Sequence, residues 1–174
     1  MKESGIFKIF LFAVMLALLT GCSSKSDIVF YMPSIKSAPD SVKKADVMSF
    51  ESASYLASDK IWYKKDGLFL HYSRSFLAKT PKEYLTDVLE IGGFDGKITI
   101  RLIDAYQLYG DSASSYLLTA SVEVESGLGK KRYRMFSIKK DGFGIGPSEA
   151  VKGFEAAAYE LNEKIKTEFG GKGK

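Results

Sequence analysis

Cysteine is almost absent: the 174-residue chain holds one, Cys22. A lone cysteine excludes a disulfide framework and a cysteine-based zinc site within the chain. Histidine is as scarce, with His71 alone. No site built on two imidazoles can form, and no serine- or cysteine-based relay can be assembled with conviction. His71 lies between Leu70 and Tyr72 in a stretch that reads as a strand, which predicts a sheet-surface histidine rather than a catalytic one. Long apolar runs are missing too. Residues 9–19 form a run of 11, whereas a helix needs roughly 20 to cross the hydrocarbon core. Neither sign of charge is in large excess. The 25 basic residues against 21 acidic ones leave +4, too mild to argue for nucleic acid as a partner.

The N-terminus carries a pattern of its own. Lys2 and Lys8 stand against Glu3, the short apolar run follows, and then come Leu19-Thr20-Gly21-Cys22 and Ser23-Ser24-Lys25-Ser26. A basic start, a short apolar stretch and small residues describe an export signal. Leu19, Thr20, Gly21 and Cys22 resemble the bacterial lipobox. That motif implies diacylglycerol on the Cys22 thiol, cleavage before Cys22, and an N-acyl lipid on the new amino group. Each buried methylene contributes about 0.8 kcal/mol, and stable anchoring needs more than one chain. The expected organisation is a lipoprotein signal peptide over residues 1–21 and a lipidated tether over 22–27. A single α+β domain over 28–170 and a flexible tail over 171–174 follow. The mature chain of 153 residues is long enough for one real core. Losing Lys2 and Lys8 together with Glu3 lowers its charge by one, to +3. No metal or cofactor is expected beyond the covalent lipid. Ser23, rather than aspartate, after the cysteine points by analogy with enteric sorting to the outer membrane, facing the periplasm. The inner membrane is the alternative.

Short strands are predicted at 28–31 and 47–50, with a loop over 34–44 and a connection or brief helical turn over 52–60. Residues 60–64 and 68–73 flank Lys65-Asp66-Gly67 and read as a hairpin. Thr80, Pro81 and Glu83 form a capping box that starts a helix. The helix is expected to run to about Ile91 and stop at Gly92-Gly93, burying Tyr84, Leu85, Val88 and Leu89. Residues 97–108 read as a strand whose alternation slips at Leu102-Ile103, the sign of a bulge. Residues 115–125 alternate cleanly, with Tyr116, Leu118, Ala120, Val122 and Val124 inward. Turns at 110–114 and 127–129 and a strand over 132–139 complete a meander. Ser148 or Gly146 caps a last helix in which Val151, Phe154, Ala158, Leu161 and Ile165 recur at helical spacing. The fold class expected is α+β: an antiparallel sheet, made of a hairpin and a three-stranded meander, with two main helices on one face.

Candidate chemistry is sparse. Glu123 and Glu125 share the polar face of a strand and read as solvated surface rather than an acid–base pair. Residues 142–146, Gly-Phe-Gly-Ile-Gly, lack the spacing of a nucleotide loop. Lys130, Lys131, Arg132 and Arg134 cluster at a hairpin. They are the candidates for contact with anionic lipid heads or an acidic partner, against a default of solvated turn. The 12 Phe, 10 Tyr and one Trp should mostly be core, and any exposed fraction would mark a protein interface.

Several segments resemble one known family in order and kind. They are Ser54-Tyr55-Leu56-Ala57-Ser58, Ile61-Trp62-Tyr63 and Leu68-Phe69-Leu70-His71-Tyr72. The helix lead-in Phe76-Leu77-Ala78-Lys79-Thr80-Pro81 follows, and the end runs from Ser148-Glu149-Ala150 through Phe154 and Leu161. With the lipobox, this order is similar to the ABC-type transport auxiliary lipoproteins, the paraquat-inducible protein C type. Leu77 stands where many members carry tryptophan. The resemblance implies a non-enzymatic periplasmic subunit beside an ABC transporter and a substrate-binding protein of the mammalian-cell-entry type. Such a system moves phospholipid or other hydrophobic molecules and supports envelope integrity. A homo-oligomer is implied as well. The competing readings are an outer-membrane assembly lipoprotein that supports a β-barrel, and a lipid-anchored periplasmic enzyme, which the lack of a catalytic set disfavours.

Overall fold

The clean alternation of residues 115–125 becomes the middle of a sheet. The strand spans Ser114–Ser126, and Tyr116, Leu118, Ala120, Val122 and Val124 are all buried along one face. The computed structural model describes residues 27–34, 47–89, 96–126 and 128–169. The signal peptide, Leu19, Thr20, Gly21, Cys22, most of the 34–44 loop, Gly92-Gly93, Gly127 and the 171–174 tail lie outside the described residues.

Seven strands form one sheet: β1 (Val29–Tyr31), β2 (Val47–Ser52), β3 (Lys60–Lys65), β4 (Leu68–Leu77), β5 (Gly96–Tyr109), β6 (Ser114–Ser126) and β7 (Lys131–Phe143). Their order is β1-β4-β3-β5-β6-β7, with β2 also on β5. The hairpin β3–β4 and the meander β5–β6–β7 are antiparallel, as expected. The sheet as a whole is not. β1 pairs with β4, and β2 and β3 pair with β5, in parallel. The expectation of a purely antiparallel sheet is therefore corrected to a mixed one.

The physical reason lies along one edge of β5. β2 lies beside Ile98 to Leu102, and β3 beside Gln107 and Leu108. The two act as one interrupted strand, broken by a 3-10 turn at Ser54–Ala57. β5 is interrupted at the same level. Its register against β6 shifts between Leu102 and Asp104, the bulge that the sequence slip predicts. Ala53 N–H donates to Leu102 O at 3.1 Å, and the Tyr55 hydroxyl bonds Ile103 O at 3.2 Å. The turn thus caps the bulge that would otherwise leave a carbonyl unpaired.

Helix α1 (Pro81–Val88) begins with the predicted capping box. Glu83 N–H donates to Thr80 Oγ1 at 3.3 Å, and Thr80 N–H donates to Glu83 Oε2 at 2.8 Å. It ends earlier than the expected Ile91. Leu89 turns to extended geometry, φ −71° and ψ 105°, while its side chain stays in the core. β4 in turn runs past the expected Ser73 to Leu77, because β1 pairs with Ser75 to Leu77. Helix α2 (Pro147–Phe169) buries Val151, Phe154, Ala158, Leu161 and Ile165. Gly146 precedes its first turn and accepts from Ala150 N–H at 3.0 Å, while Ser148 lies inside the helix.

Phe154 joins the layers. Its ring centroid is 5.0 Å from Tyr84 of α1 and 6.0 Å from Tyr116 of β6. Two helices and a sheet thus share one core, an α+β architecture. Each large aliphatic side chain buried there contributes roughly 1.5–3 kcal/mol. Among the described residues no helix is long and apolar enough to cross a membrane.

Candidate interaction surface

Alternation along β3 and β5 sends a set of rings to the sheet face away from the core. Ile61 is buried, so its neighbour Trp62 points the other way; Ala105 and Gln107 are buried, so Tyr106 between them does too. Trp62 stands opposite His71, and Lys64 opposite Phe69. Trp62 and Phe69 stack with centroids 5.0 Å apart and planes 11° from parallel. Tyr55 meets both rings edge-on, at 5.5 Å and 4.8 Å. Tyr106 abuts Phe69 at 5.3 Å, and His71 abuts Trp62 at 5.2 Å. Trp62 Nε1–H donates to Tyr55 O at 3.0 Å. The Tyr55 hydroxyl also reaches Asp104 Oδ1 at 3.2 Å. Burial, and then the Asp104 charge, push its pKa well above the usual tyrosine range, so it remains a donor. Edge and stacked contacts of this kind lock ring positions. The result is a rigid aromatic platform. Phe69 is 40% exposed, while Leu68 and Leu70, 63% and 39% exposed, alternate with it along β4 and point to the other face.

On the other face a buried polar network ties the hairpin to the loop before α2. The Tyr72 hydroxyl donates to Gln107 Oε1 at 2.8 Å and bonds the Tyr109 hydroxyl. Gln107 Nε2 donates to Ser114 Oγ at 2.6 Å and to Gly144 O at 2.9 Å. Ser114 Oγ–H donates to Gly144 O at 2.7 Å. Burial, then the Tyr109 hydrogen bond, raise the Tyr72 pKa above the ordinary range. Among the described residues every buried side-chain N or O has a partner. The network therefore ties the hairpin, β5, β6 and the loop before α2 together.

The predicted basic cluster is largely engaged within the chain. Lys131 pairs with Glu123 at 2.8 Å and Glu125 at 3.9 Å. Arg134 pairs with Glu168 at 2.8 Å. These carboxylates raise the pKa of both cations. The Arg132 guanidinium lies 5.1 Å from the Phe169 ring centroid. Lys130 is exposed in the turn. Glu123 and Glu125 accordingly serve Lys131 as a solvated charge pair. His71 is half-buried in β4, with Nδ1 3.3 Å from Tyr72 O and Nε2 3.4 Å from Lys60 Nζ.

The glycine segment before α2 is also filled from within. Gly144 N–H donates to Glu149 Oε2 at 3.3 Å. The Lys152 hydrogen bond, and then this one, hold the Glu149 carboxyl below its usual range. A phosphate at this helix start would meet a carboxylate already there. Among the described residues no three His, Cys, Asp or Glu side chains gather as a metal site. Cys22 and the lipobox, the other predicted site, lie outside the described residues.

Sequence reasoning missed one surface, the exposed apolar side of β1, where Ile28, Phe30 and Met32 are open. Its signal was there to read. Every residue from Ile28 to Met32 is apolar or aromatic, a pattern that suits burial on both faces but sits here at a sheet edge.

No protein-family model matches the chain, and no curated protein sequence does. Solved structures do. The fold matches that of protein XCC0632 from Xanthomonas campestris, a DUF330 protein, with a TM-score of 0.63 at 15% identity, covering 78% of this chain and 91% of that one. A second crystal structure, of an uncharacterized protein, matches with a TM-score of 0.64 at 13% identity, over 82% and 99% of the two chains. The α+β fold of this chain is thus similar to that of a DUF330 protein.

Proposed function

We propose that this chain is a lipid-anchored, non-catalytic periplasmic subunit of an ABC-type, mammalian-cell-entry-associated transport system. The system carries phospholipid or other hydrophobic molecules, and the subunit acts by binding a protein partner. Its anchor is the acylated Cys22, and its membrane is the outer one. Three things support the reading: the lipobox pattern, the resemblance of the segment order to the auxiliary lipoproteins, and a surface suited to docking. The observation that carries it is the Trp62–Phe69 platform, with Phe69 open to solvent. Rigid aromatic groups on an open face are what protein interfaces concentrate. A tethered domain also gains effective concentration near a partner in the same envelope, so a modest interface is enough.

The test is crosslinking in cells from a photoreactive residue at Phe69, followed by mass spectrometry. Recovery of a mammalian-cell-entry-type protein is expected. Recovery of a β-barrel protein alone would favour an assembly role instead. A hydrolase activity in the purified protein that vanishes with a point mutation would refute the non-catalytic reading. The anchor is tested separately: Cys22→Ala should abolish palmitate labelling, and membrane fractionation reports the membrane.

A further inference from the structure

We propose that the exposed side of β1 rests on the lipid surface to which the chain is anchored, fixing how the domain stands on the membrane. The proposal rests on the lipid-anchor reading and adds an orientation to it. Ile28, Phe30 and Met32 are 63%, 63% and 69% exposed. They alternate along an extended segment and so share one side. Of the residues between and after them, Val29 is partly open, while Tyr31 packs toward the core and Pro33 is buried. The segment cannot roll to hide them. Ser34 O accepts the Tyr84 hydroxyl at 3.0 Å and the Tyr159 hydroxyl at 3.1 Å, and Ser34 N–H donates to Glu155. Pairing of Val29 to Tyr31 with Ser75 to Leu77 fixes the other side. The Phe30 ring meets Phe76 at 5.8 Å and is held in place.

The occupant follows from chain length. Five residues separate Cys22 from Ile28, so the six steps between them reach at most about 21 Å at ~3.5 Å each. The apolar side of β1 is therefore held within reach of the bilayer by the shortest covalent path in the domain. β1 is also the last strand at its end of the sheet. An apolar edge strand left in water invites pairing with other chains. Acyl chains and the headgroup boundary cover such side chains without needing a matching surface. The opposite edge, β7, then faces away from the membrane.

The mature lipidated protein tests this in vesicles of phosphatidylethanolamine and phosphatidylglycerol. Cys22 is the sole native cysteine, and its acylation leaves an introduced thiol free for an environment-sensitive fluorophore. The label is placed on Met32→Cys, on Ile28→Cys as a second site, and on Leu128→Cys in the β6–β7 turn, which is 88% exposed. Spin-labelled lipid is the quencher. Side chains seated at the headgroup boundary should be quenched about fivefold more strongly than Leu128, with a blue-shifted emission. Flotation with the vesicles but equal quenching at all three sites would overturn the proposal and leave the anchor standing. Failure to float, with no palmitate on Cys22, would remove the anchor reading and this proposal together.

Discussion

Tyr116 and Gly153 are so close that a methyl group on Gly153 would lie 2.6 Å from Tyr116 Cβ. The absent side chain lets α2 settle directly onto β6. Gly153→Ala brings a helix-propensity gain of about 1 kcal/mol, against an overpacking cost of roughly 1–3 kcal/mol. The cost should win, because the atom met is fixed to the β6 backbone and cannot swing aside. A lower urea midpoint is expected. A raised midpoint would mean that α2 stands off the sheet.

The same docking should show in truncations. Leu161→Ala and Phe154→Ala remove fully enclosed side chains and should each cost ~2–5 kcal/mol. Thr80→Ala, which removes one partner of the capping box, should cost about 1 kcal/mol. Chemical denaturation ranks the three, and a Leu161→Ala loss no larger than that of Thr80→Ala would contradict the core described above.

Trp62 is the only tryptophan, so its fluorescence reports the platform directly. Phe69→Ala should shift the emission to the red by exposing the indole face. The stability loss should stay near the ~0.5–1.5 kcal/mol of an aromatic pair. An unchanged spectrum would show that the stack does not persist in solution. Crosslinking to the partner from an adjacent site on the same face, Tyr106, should fall in the same variant.

Acid should loosen the seam between α2 and β7. Lys140 pairs with Glu160 across it, and chiefly that hydrogen bond lowers the Glu160 pKa. A carboxyl whose folded pKa lies below its unfolded one stabilises the fold above the ordinary carboxylate range. That contribution drains away as pH falls through the folded value. Glu160→Gln should flatten the acid limb of a stability–pH profile, and an unaltered limb would assign the acid sensitivity elsewhere.

Local signals in the sequence carried far. Thr80, Pro81 and Glu83 mark α1 because capping is a contact over three residues. The slip at Leu102-Ile103 marks the bulge because the pleat has a period of two. What did not show is partner choice between distant strands. Nothing in residues 47–52 names Ile98 to Leu102 as their neighbour, so the parallel pairings were invisible. The surface was half legible for a related reason. The hairpin carries large rings on both faces, and composition alone cannot say that Tyr72 is tied into a buried network while Phe69 is open. The basic turn was visible as charge, but its pairing with Glu168 joins residues that only the docking of α2 brings together.

The edge of β5 shared by β2 and β3 sets an order of events. Residues 47–52 gain their ladder only after residues 98–102 exist, and the core they border closes only when α2, ending at Phe169, arrives. Contacts of such sequence separation slow folding, since loop entropy is lost before they form. A chain that emerges N-terminus first thus stays open until the helix over 147–169 has emerged, and folds as a unit rather than progressively.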